Sequence, residues 1–400
     1  MEPNYNRRDV LKAGALAAVA AAEASGAAAG PSTLRVGLAG AGARGTALLE
    51  LLLGFEGVEV PAVCDPNETA AARAQQLIQG RGRAKPETYS RGATDYQRMC
   101  GREDLDLVLV ATPPDSHARI AVAAMKAGKH SATEGPAALS VEEAWELVDT
   151  AETARRHCSM LAANCYTRQS LMVLGMFRSD LLGEPLFAEA GYCRDLRSRQ
   201  GAGNPAAYTI QPLGPIAWWM NVNRGDRLQF VSSMRTATAG LGTSLLRTAQ
   251  GRVISLYLDI ATPRPAEGLM RVQGTKGCFS GQLNKIFIDG RSNRNEGPSW
   301  LHNPLFEDVG AYEKEFAPAL WKAYGDQSKG SADHMALYRL VRNLRERQAP
   351  DVDVYDAAAW SAAGVLVEES AKGGGRMLEV PDFTRGKWVR RSPLEADAIV

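Results

Sequence analysis

The stretch LRVGLAGAGARG, residues 34–45, constrains the fold more than any other part of this chain. Its first six residues are short and apolar, which is typical of a buried parallel strand. Gly40, Gly42 and Gly45 follow as a Gly-x-Gly-x-x-Gly pattern, and a helix-forming segment comes directly after them. In such a strand–turn–helix unit, glycine lets the backbone approach a pyrophosphate, which lies on the helix N-terminus. The pattern therefore predicts a dinucleotide site.

An acidic residue at the expected distance supports this interpretation. A second apolar strand, Val58 to Cys64, is followed by Asp65, twenty residues after Gly45. A carboxylate there can accept hydrogen bonds from a ribose 2′-OH and would repel a 2′-phosphate, so we expect NAD rather than NADP. The chain has 39 glycines, so a chance glycine turn with a solvated acid is the alternative.

Size and charge limit the class of protein. The chain has 400 residues, enough for two domains with sizeable cores. Its 46 basic and 45 acidic side chains give a net charge of +1, so no basic excess indicates nucleic-acid binding. Six scattered cysteines form no CxxC or CxxH pair, so we expect free, mostly buried thiols and no metal site.

The N-terminus is typical of a targeting segment. Arg7 and Arg8 precede an Ala-rich stretch, Ala13 to Ala22, and small residues follow. Residues 1–30 look like a twin-arginine export signal, which predicts a periplasmic or secreted protein. A flexible tail and a membrane helix are the alternatives, but the apolar stretch is too short and too weakly hydrophobic to span a bilayer. We expect no membrane contact after signal removal.

The order of elements predicts two domains with an α/β fold. Alternating βαβ patterns over residues 33–164 predict a Rossmann domain with a doubly wound parallel sheet. Its ligand crevice should lie where the strands end. Residues 165–390 predict a substrate-binding α+β domain with a large, mostly antiparallel sheet. The strands predicted there are 185–192, 230–238, 252–261, 270–275 and 285–289, followed by a long loop at 291–325 and helices at 331–346 and 355–370.

Several motifs together resemble the glucose–fructose oxidoreductase/inositol dehydrogenase (Gfo/Idh/MocA) family over nearly all of residues 33–390. They are VGLAGAGARG, VCDPN, VATPPDSHARIAVAAMKAGKH and EGPAALSVEEAWELVDTAE. Within it the chain looks closest to glycoside hydrolase family 109, the NAD-dependent α-N-acetylgalactosaminidases. That likeness rests on GYCRDLR, LGPIAWWMNVNRGDR, TPRP, QGTKG and DVYDAAAWSA.

The resemblance implies an unusual glycosidase chemistry. Such enzymes use bound NAD to oxidise the sugar C3 hydroxyl, which acidifies the C2 proton. The aglycone then leaves by elimination, water adds, and C3 is reduced again, so there is no net redox change. A small carbohydrate would be the substrate, not necessarily an N-acetylgalactosaminide. The alternatives are a sugar or polyol dehydrogenase and a non-catalytic NAD-binding homologue.

The resemblance also implies a set of cofactor-binding residues at the strand ends. Gly135 stands where most dehydrogenases of the superfamily have a lysine that helps deprotonate the substrate, which argues against an ordinary sugar dehydrogenase. The implied cofactor residues are Gly40, Gly42, Ala43, Arg44, Gly45, Asp65, Thr112, Pro113, Pro114, His117, Glu134, Gly135, Ala163 and Tyr208.

The implied sugar site departs from the family pattern. Gln211 stands where the family has a proton-shuttling histidine, and Ala266 replaces a family tyrosine. The candidate catalytic residues are Tyr166, Tyr208 and Lys329, and the candidate substrate-binding residues are Tyr192, Tyr208, Gln211 and Asp333. Taken alone, the tyrosines would be ordinary sheet aromatics and Lys329 a solvated lysine. The superfamily pairs through the exposed face of its second sheet, so a homo-oligomer is expected.

Overall fold

A computed structural model of the chain describes residues 33–198, 206–237, 240–292, 305–324 and 331–394. The predicted export signal and Lys329 lie outside these ranges. Within them, the two predicted sheets are both present.

The first sheet is parallel and has the strand order β3-β2-β1-β4-β5-β6. Its strands are β1 (Leu34–Ala39), β2 (Val58–Cys64), β3 (Glu87–Tyr89), β4 (Leu107–Val110), β5 (His130–Glu134) and β6 (Cys158–Leu161). The helices between them are α1 (Ala43–Leu52), α2 (Glu68–Gly80), α3 (Tyr96–Cys100), α4 (His117–Lys126) and α5 (Val141–Ala154). The strand order reverses between β1 and β4, which is where such sheets bind nucleotides.

Local sequence rules explain these elements. All four residues of β4 are buried, as expected for a strand covered on both faces. The side chain of Asn67 accepts hydrogen bonds from two free N–H groups in the first turn of α2. The side chain of Ser140 accepts one from the first turn of α5. β6 ends at Leu161, so Ala163 lies in a following 3₁₀ turn rather than at a strand end.

The second sheet has nine strands in the order β14-β13-β12-β11-β7-β10-β9-β8-β15. Neighbours are antiparallel except β7 and β10. The strands are β7 (Pro185–Cys193), β8 (Leu228–Arg235), β9 (Leu241–Thr248), β10 (Val253–Asp259), β11 (Glu267–Gly274), β12 (Gly277–Ser280), β13 (Lys285–Ile288), β14 (Glu307–Asp308) and β15 (Leu378–Glu379). The predicted α+β domain is therefore confirmed.

Helices cover one face of this sheet. The described helices of the second half of the chain are α6 (Arg168–Arg178), α7 (Ala206–Trp219), α8 (Glu313–Phe316), α9 (Ala319–Tyr324), α10 (Ala332–Arg345) and α11 (Val354–Lys372). α7 and α11 pack on each other and on the sheet. On the opposite face, Phe187, Met234 and Leu245 are exposed. Strand alternation thus gives one buried and one open face.

The two domains share a core element. α10 comes late in the chain, yet Leu337, Leu340 and Val341 pack among the buried residues of β1, β2 and α1. The α10 helix therefore completes the hydrophobic core of the Rossmann domain.

The described structure differs from the predictions for the second domain. The predicted loop at 291–325 is wrong for residues 305–324, which form β14, α8 and α9; residues 293–304 and 325 lie outside the description. α7 was not predicted, because Pro212 and Pro215 look like helix breakers in sequence, yet both lie inside it. Residues 274–277 form the hairpin turn between β11 and β12.

Two further properties concern membrane-spanning helices and the cysteines. No helix among the described residues combines the length and apolar character needed to cross a membrane. All six cysteines are free, and five of them are buried. Burial raises the pKa of the Cys64 thiol to about 12, so this side chain is an unreactive part of the core.

Candidate functional site

The turn after β1 is built from glycines that the backbone requires. Gly40 has φ of +92°, and a Cβ on it would lie 2.7 Å from the backbone of Ala111 at the end of β4. A Cβ on Gly45 would lie 1.9 Å from the carbonyl oxygen of Gly40. The helix α1 therefore begins in direct contact with the strand end, and neither glycine can be enlarged without moving the backbone.

Gly42 is different, because it faces open space. A Cβ at this position would have no atom within 4 Å. α1 begins at the next residue, no described side chain caps it, and its first turn contains no acidic residue. Uncapped N–H groups at a helix N-terminus, approached over a glycine, are the chemistry of a pyrophosphate site. The turn therefore fits NAD, whose pyrophosphate the first turn of α1 would hold.

Asp65 lies at the same edge of the sheet, directly after β2. Its Oδ2 accepts a hydrogen bond from the N–H of Ala41 at 2.7 Å, and its Oδ1 accepts one from the N–H of Asn67 at 2.8 Å. The carboxylate thus braces the glycine turn. It keeps further lone pairs for ribose hydroxyl groups, as the prediction of NAD requires.

A charged cluster joins the glycine turn to the second domain. Arg44 donates two hydrogen bonds to Asp333, both at 2.7 Å, and one to Glu134 at 2.9 Å. The hydrogen bonds that Arg44 donates to Asp333 raise the pKa of Arg44, and burial raises the pKa of Glu134. Asp333 lies in the first turn of α10, so the residue predicted to bind substrate is paired with a residue of the cofactor turn.

His117 connects the turn after β4 to the turn after β5. The side chain is buried; its Nδ1 lies 2.7 Å from the carbonyl oxygen of Pro136, and its Nε2 lies 2.8 Å from that of Thr112. This geometry argues against the direct cofactor contact that we predicted for His117. It positions the turns instead. Pro113 and Pro114 are exposed at the end of β4, where the prediction placed them.

Gly135 follows β5 and is covered by a side chain from the second domain. A Cβ on Gly135 would lie 2.4 Å from Cδ1 of Ile210, which is buried in the first half of α7. The space that a side chain at position 135 would use is therefore filled by Ile210.

The same part of α7 reaches a pocket at the ends of β7 and β11. The pocket has a volume of about 270 Å³. Its lining residues are Asn164, Gly191, Tyr192, Cys193, Arg194, Pro212, Ala266, Glu267 and Gly268. Tyr192 stacks on Tyr208, with ring centroids 5.0 Å apart and planes inclined by 26°. Stacked rings beside an open polar pocket form a surface suited to the apolar face of a sugar.

Asn164 links this pocket to the Rossmann domain. It lies in the 3₁₀ turn after β6, beside Ala163, and its Nδ2 donates to the carbonyl oxygen of Gln211 at 2.9 Å. Gln211 is half-buried on α7, between Ile210 and Pro212. Sequence reasoning missed Asn164 and Ile210, although both are next to predicted residues.

The structure argues against the catalytic role that we predicted for Tyr166. Its side chain is buried, and its hydroxyl donates to Asp351 at 3.0 Å. Arg339 donates to the same carboxylate at 2.9 and 2.8 Å. Burial raises the pKa of Tyr166 well above its ordinary value, so the phenol stays protonated in the core. The side chain of Tyr166 is therefore part of the buried core and does not line the crevice.

A larger cavity, of about 430 Å³, lies between the loop after α1 and α10. It is lined by Phe55, His334 and Tyr338 among others. The loop after α1 leads into the start of β2, so this cavity is at the opposite edge of the sheet from the glycine turn. The described residues contain no group of three or more His, Cys, Asp or Glu side chains suited to a metal ion.

Comparison with known proteins gives two family matches. Residues 34–161 match the oxidoreductase family with an NAD-binding Rossmann fold, and residues 241–390 match the glycosyl hydrolase 109 C-terminal domain. A glycosyl hydrolase family 109 protein of Solibacter usitatus is 36% identical, covering 97% of this chain and 99% of its own. An α-N-acetylgalactosaminidase of Shewanella oneidensis is 34% identical, and the match covers 90% of this chain and 87% of that protein.

Solved structures show the same fold. An oxidoreductase domain protein from Kribbella flavida has a TM-score of 0.69 and 19% identity, with 88% of this chain and 100% of that chain covered. The myo-inositol dehydrogenase from Lactobacillus casei, in complex with NAD(H) and myo-inositol, has a TM-score of 0.65 and 17% identity. This match covers 88% of this chain and 99% of that chain.

Proposed function

The chain belongs to glycosyl hydrolase family 109, and on this premise we propose that it is an NAD-dependent glycosidase that keeps its cofactor through each turnover. One observation carries the proposal. A single turn of α7, residues 208–212, contacts both the cofactor side and the sugar pocket, because Ile210 covers Gly135 while Tyr208 and Pro212 stand at the pocket. A substrate held there would meet the carboxyl edge of the Rossmann sheet.

The roles of the protein residues follow from their positions. Bound NAD would supply hydride removal and return at one sugar carbon. The first turn of α1 would hold the pyrophosphate of NAD, and Asp65 would hold its ribose. Tyr192 and Tyr208 hold the sugar ring, while Ile210 excludes water from the space beside Gly135.

Proton transfer at C2 needs a group that titrates. The amide of Gln211 cannot do this, and Tyr166 is sealed in the core. Tyr208 is half-buried next to the pocket and is therefore the proton-transfer group that we propose. Lys329 is a second candidate from the sequence, although it lies outside the described residues.

The test is hydrolysis of a panel of aryl α- and β-glycosides in deuterated water. Elimination chemistry places deuterium at C2 of the released sugar, and we expect Tyr208→Phe to suppress this exchange by about 10²–10⁴-fold. Tyr355→Phe is the matched control, because Tyr355 lies on α11, its hydroxyl donates to Glu152 at 2.6 Å, and it does not line the pocket. Hydrolysis without C2 exchange would exclude this mechanism.

We further propose that the chain assembles through the open face of the second sheet. Phe187, Met234 and Leu245 are 37%, 68% and 53% exposed on that face. Among the described residues helices cover only the other face, so a second copy is the cover that we propose for this apolar surface. Light scattering should give a dimer or larger assembly, and Leu245→Glu should shift it toward the monomer. A monomeric wild type at micromolar concentration would contradict this.

We also propose export by the twin-arginine route, with residues 1–30 as the signal. The support is the pair Arg7 and Arg8 followed by the Ala-rich stretch. Replacing both arginines by lysine should retain the protein in the cytoplasm, which cell fractionation measures. Export unchanged by this double substitution would refute the proposal.

A further inference from the structure

The sugar pocket contains an arginine that no described carboxylate neutralises. Arg194 follows β7 and is exposed. Its guanidinium lies 5.8 Å from the ring centroid of Tyr192, and this cation–π contact is the side-chain interaction that the described residues give it. Because Tyr192 itself stacks on Tyr208, the cation is placed beside the rings that would hold the sugar.

Glu267, the one described carboxylate that lines the pocket, already has partners. Arg264 donates to Asp259 at 3.1 Å and also to Glu267. Glu267, which lines the pocket, additionally accepts from Gln282. The hydrogen bonds to Glu267 therefore come from Arg264 and Gln282, and Arg194 keeps its hydrogen-bond donors for another acceptor.

The space in front of Arg194 is open because small residues flank it. Ala266 and Gly268 line the pocket, and a Cβ on Gly268 would have no atom within 4 Å. The backbone N–H of Arg194 donates to the carbonyl oxygen of Asp259 at 2.8 Å, which fixes where the side chain leaves the main chain. A ligand group larger than a hydroxyl therefore fits beside the guanidinium.

We propose that the glycoside taken by this pocket carries an anionic group, a carboxylate, sulfate or phosphate, which Arg194 binds. A guanidinium presents a planar fork of donors that matches such an anion in two hydrogen bonds. The proposal rests on the glycosidase function proposed above and adds the substrate class.

The experiment compares nitrophenyl glycosides that share one hexose and differ at C6. The members are the neutral hexoside, the uronide, the 6-sulfate and the 6-phosphate, assayed with the full NAD-loaded protein. We expect wild type to prefer at least one anionic member by about 10-fold or more in kcat/KM. Arg194→Gln should remove this preference through a higher KM, and Arg194→Lys should restore part of it.

Arg197→Gln is the matched control. Arg197 is also exposed and close in sequence, but it pairs with Asp195 at 2.8 Å and does not line the pocket. It should leave the preference unchanged. A wild type that prefers the neutral hexoside, or an anion preference that survives in Arg194→Gln, overturns the proposal.

A binding measurement separates this proposal from the activity. Calorimetry titrates the NAD-loaded protein with free hexuronic acid, hexose 6-sulfate, hexose 6-phosphate and the neutral hexose. Tighter binding of an anion that Arg194→Gln abolishes supports the proposal even if no glycoside is cleaved, in which case the glycosidase function alone fails. Equal binding of charged and neutral sugars overturns it.

Discussion

Alanine at Gly42 and alanine at Gly45 should separate cofactor binding from folding. The two glycines are in one turn, yet their surroundings are opposite. A Cβ on Gly42 meets nothing within 4 Å, and its φ of −69° is accessible to any residue. A Cβ on Gly45 would lie 1.9 Å from the carbonyl oxygen of Gly40.

The magnitudes follow from these distances. Real Cβ atoms stay more than 3.0 Å from such an oxygen, so Gly45→Ala must displace the backbone by about 1 Å or more. Forcing extra atoms into a packed site typically costs about 1–3 kcal/mol, which corresponds to a fall in Tm of roughly 3–10 °C for a domain of this size. Gly42→Ala should leave the Tm of the cofactor-free protein within about 1 °C of wild type, since its new methyl group has no neighbour.

For NAD affinity we expect a large effect of Gly42→Ala, the variant with little effect on Tm. The methyl group of Gly42→Ala occupies the approach to the N-terminus of α1, so we expect the NAD affinity to fall by about 10-fold or more. Differential scanning fluorimetry without cofactor and calorimetry with NAD measure the two effects on the same samples. Unchanged NAD affinity in Gly42→Ala, with wild-type Tm, would refute the placement of the pyrophosphate over this glycine.

Three further predictions concern the cofactor, the core and the pH dependence. Asp65→Ala should weaken NAD and reduce the discrimination against NADP, because the carboxylate that repels a 2′-phosphate is lost; competitive titration with both nucleotides measures this, and unaltered selectivity would contradict it. Tyr166→Phe should lower the free energy of unfolding by about 1 kcal/mol through the lost hydrogen bond to Asp351, yet leave deuterium exchange at C2 intact; a loss of exchange at wild-type stability would return Tyr166 to the active site. His130 stacks on His157, and burial lowers its pKa from 6.5 to about 4, so the unfolded chain binds the proton more readily and stability falls as the pH drops from 6.5 to 4. We expect about 1–3 kcal/mol for this partly exposed ring, measured by urea unfolding, and His130→Asn should flatten the profile between these values.

The cofactor half of the site could be predicted from sequence because its rules are local. Gly40 and Gly45 are required by the turn after β1, and Asp65 braces this turn from the end of the neighbouring strand β2, so two short stretches of sequence specify their geometry. The same reasoning gave β1 and β2 with their observed bounds. Short-range steric and hydrogen-bond constraints are therefore visible without a structure.

The remaining features depend on partners far apart in the chain. Arg44 and Asp333 are 289 positions apart, and Ile210 covers Gly135 from another domain. Tyr166 has the sequence context of a crevice residue, and its burial follows from Asp351, which lies 185 positions later. No local pattern encodes such pairings, so sequence reasoning could name the residues but not their surroundings.

The position of α10 sets an order for synthesis. Leu344 is the last of the buried α10 residues in the Rossmann core, whereas the sheet itself is complete at Leu161. A ribosome adding about 5–20 residues per second needs roughly 10–40 s to cover that interval. During this time the apolar surface of β1 and α1 that α10 later covers stays exposed, while strands β7 to β14 of the second sheet are synthesised. The nascent nucleotide-binding domain is thus open to chaperones, and a chain truncated before α10 would leave it permanently unfinished.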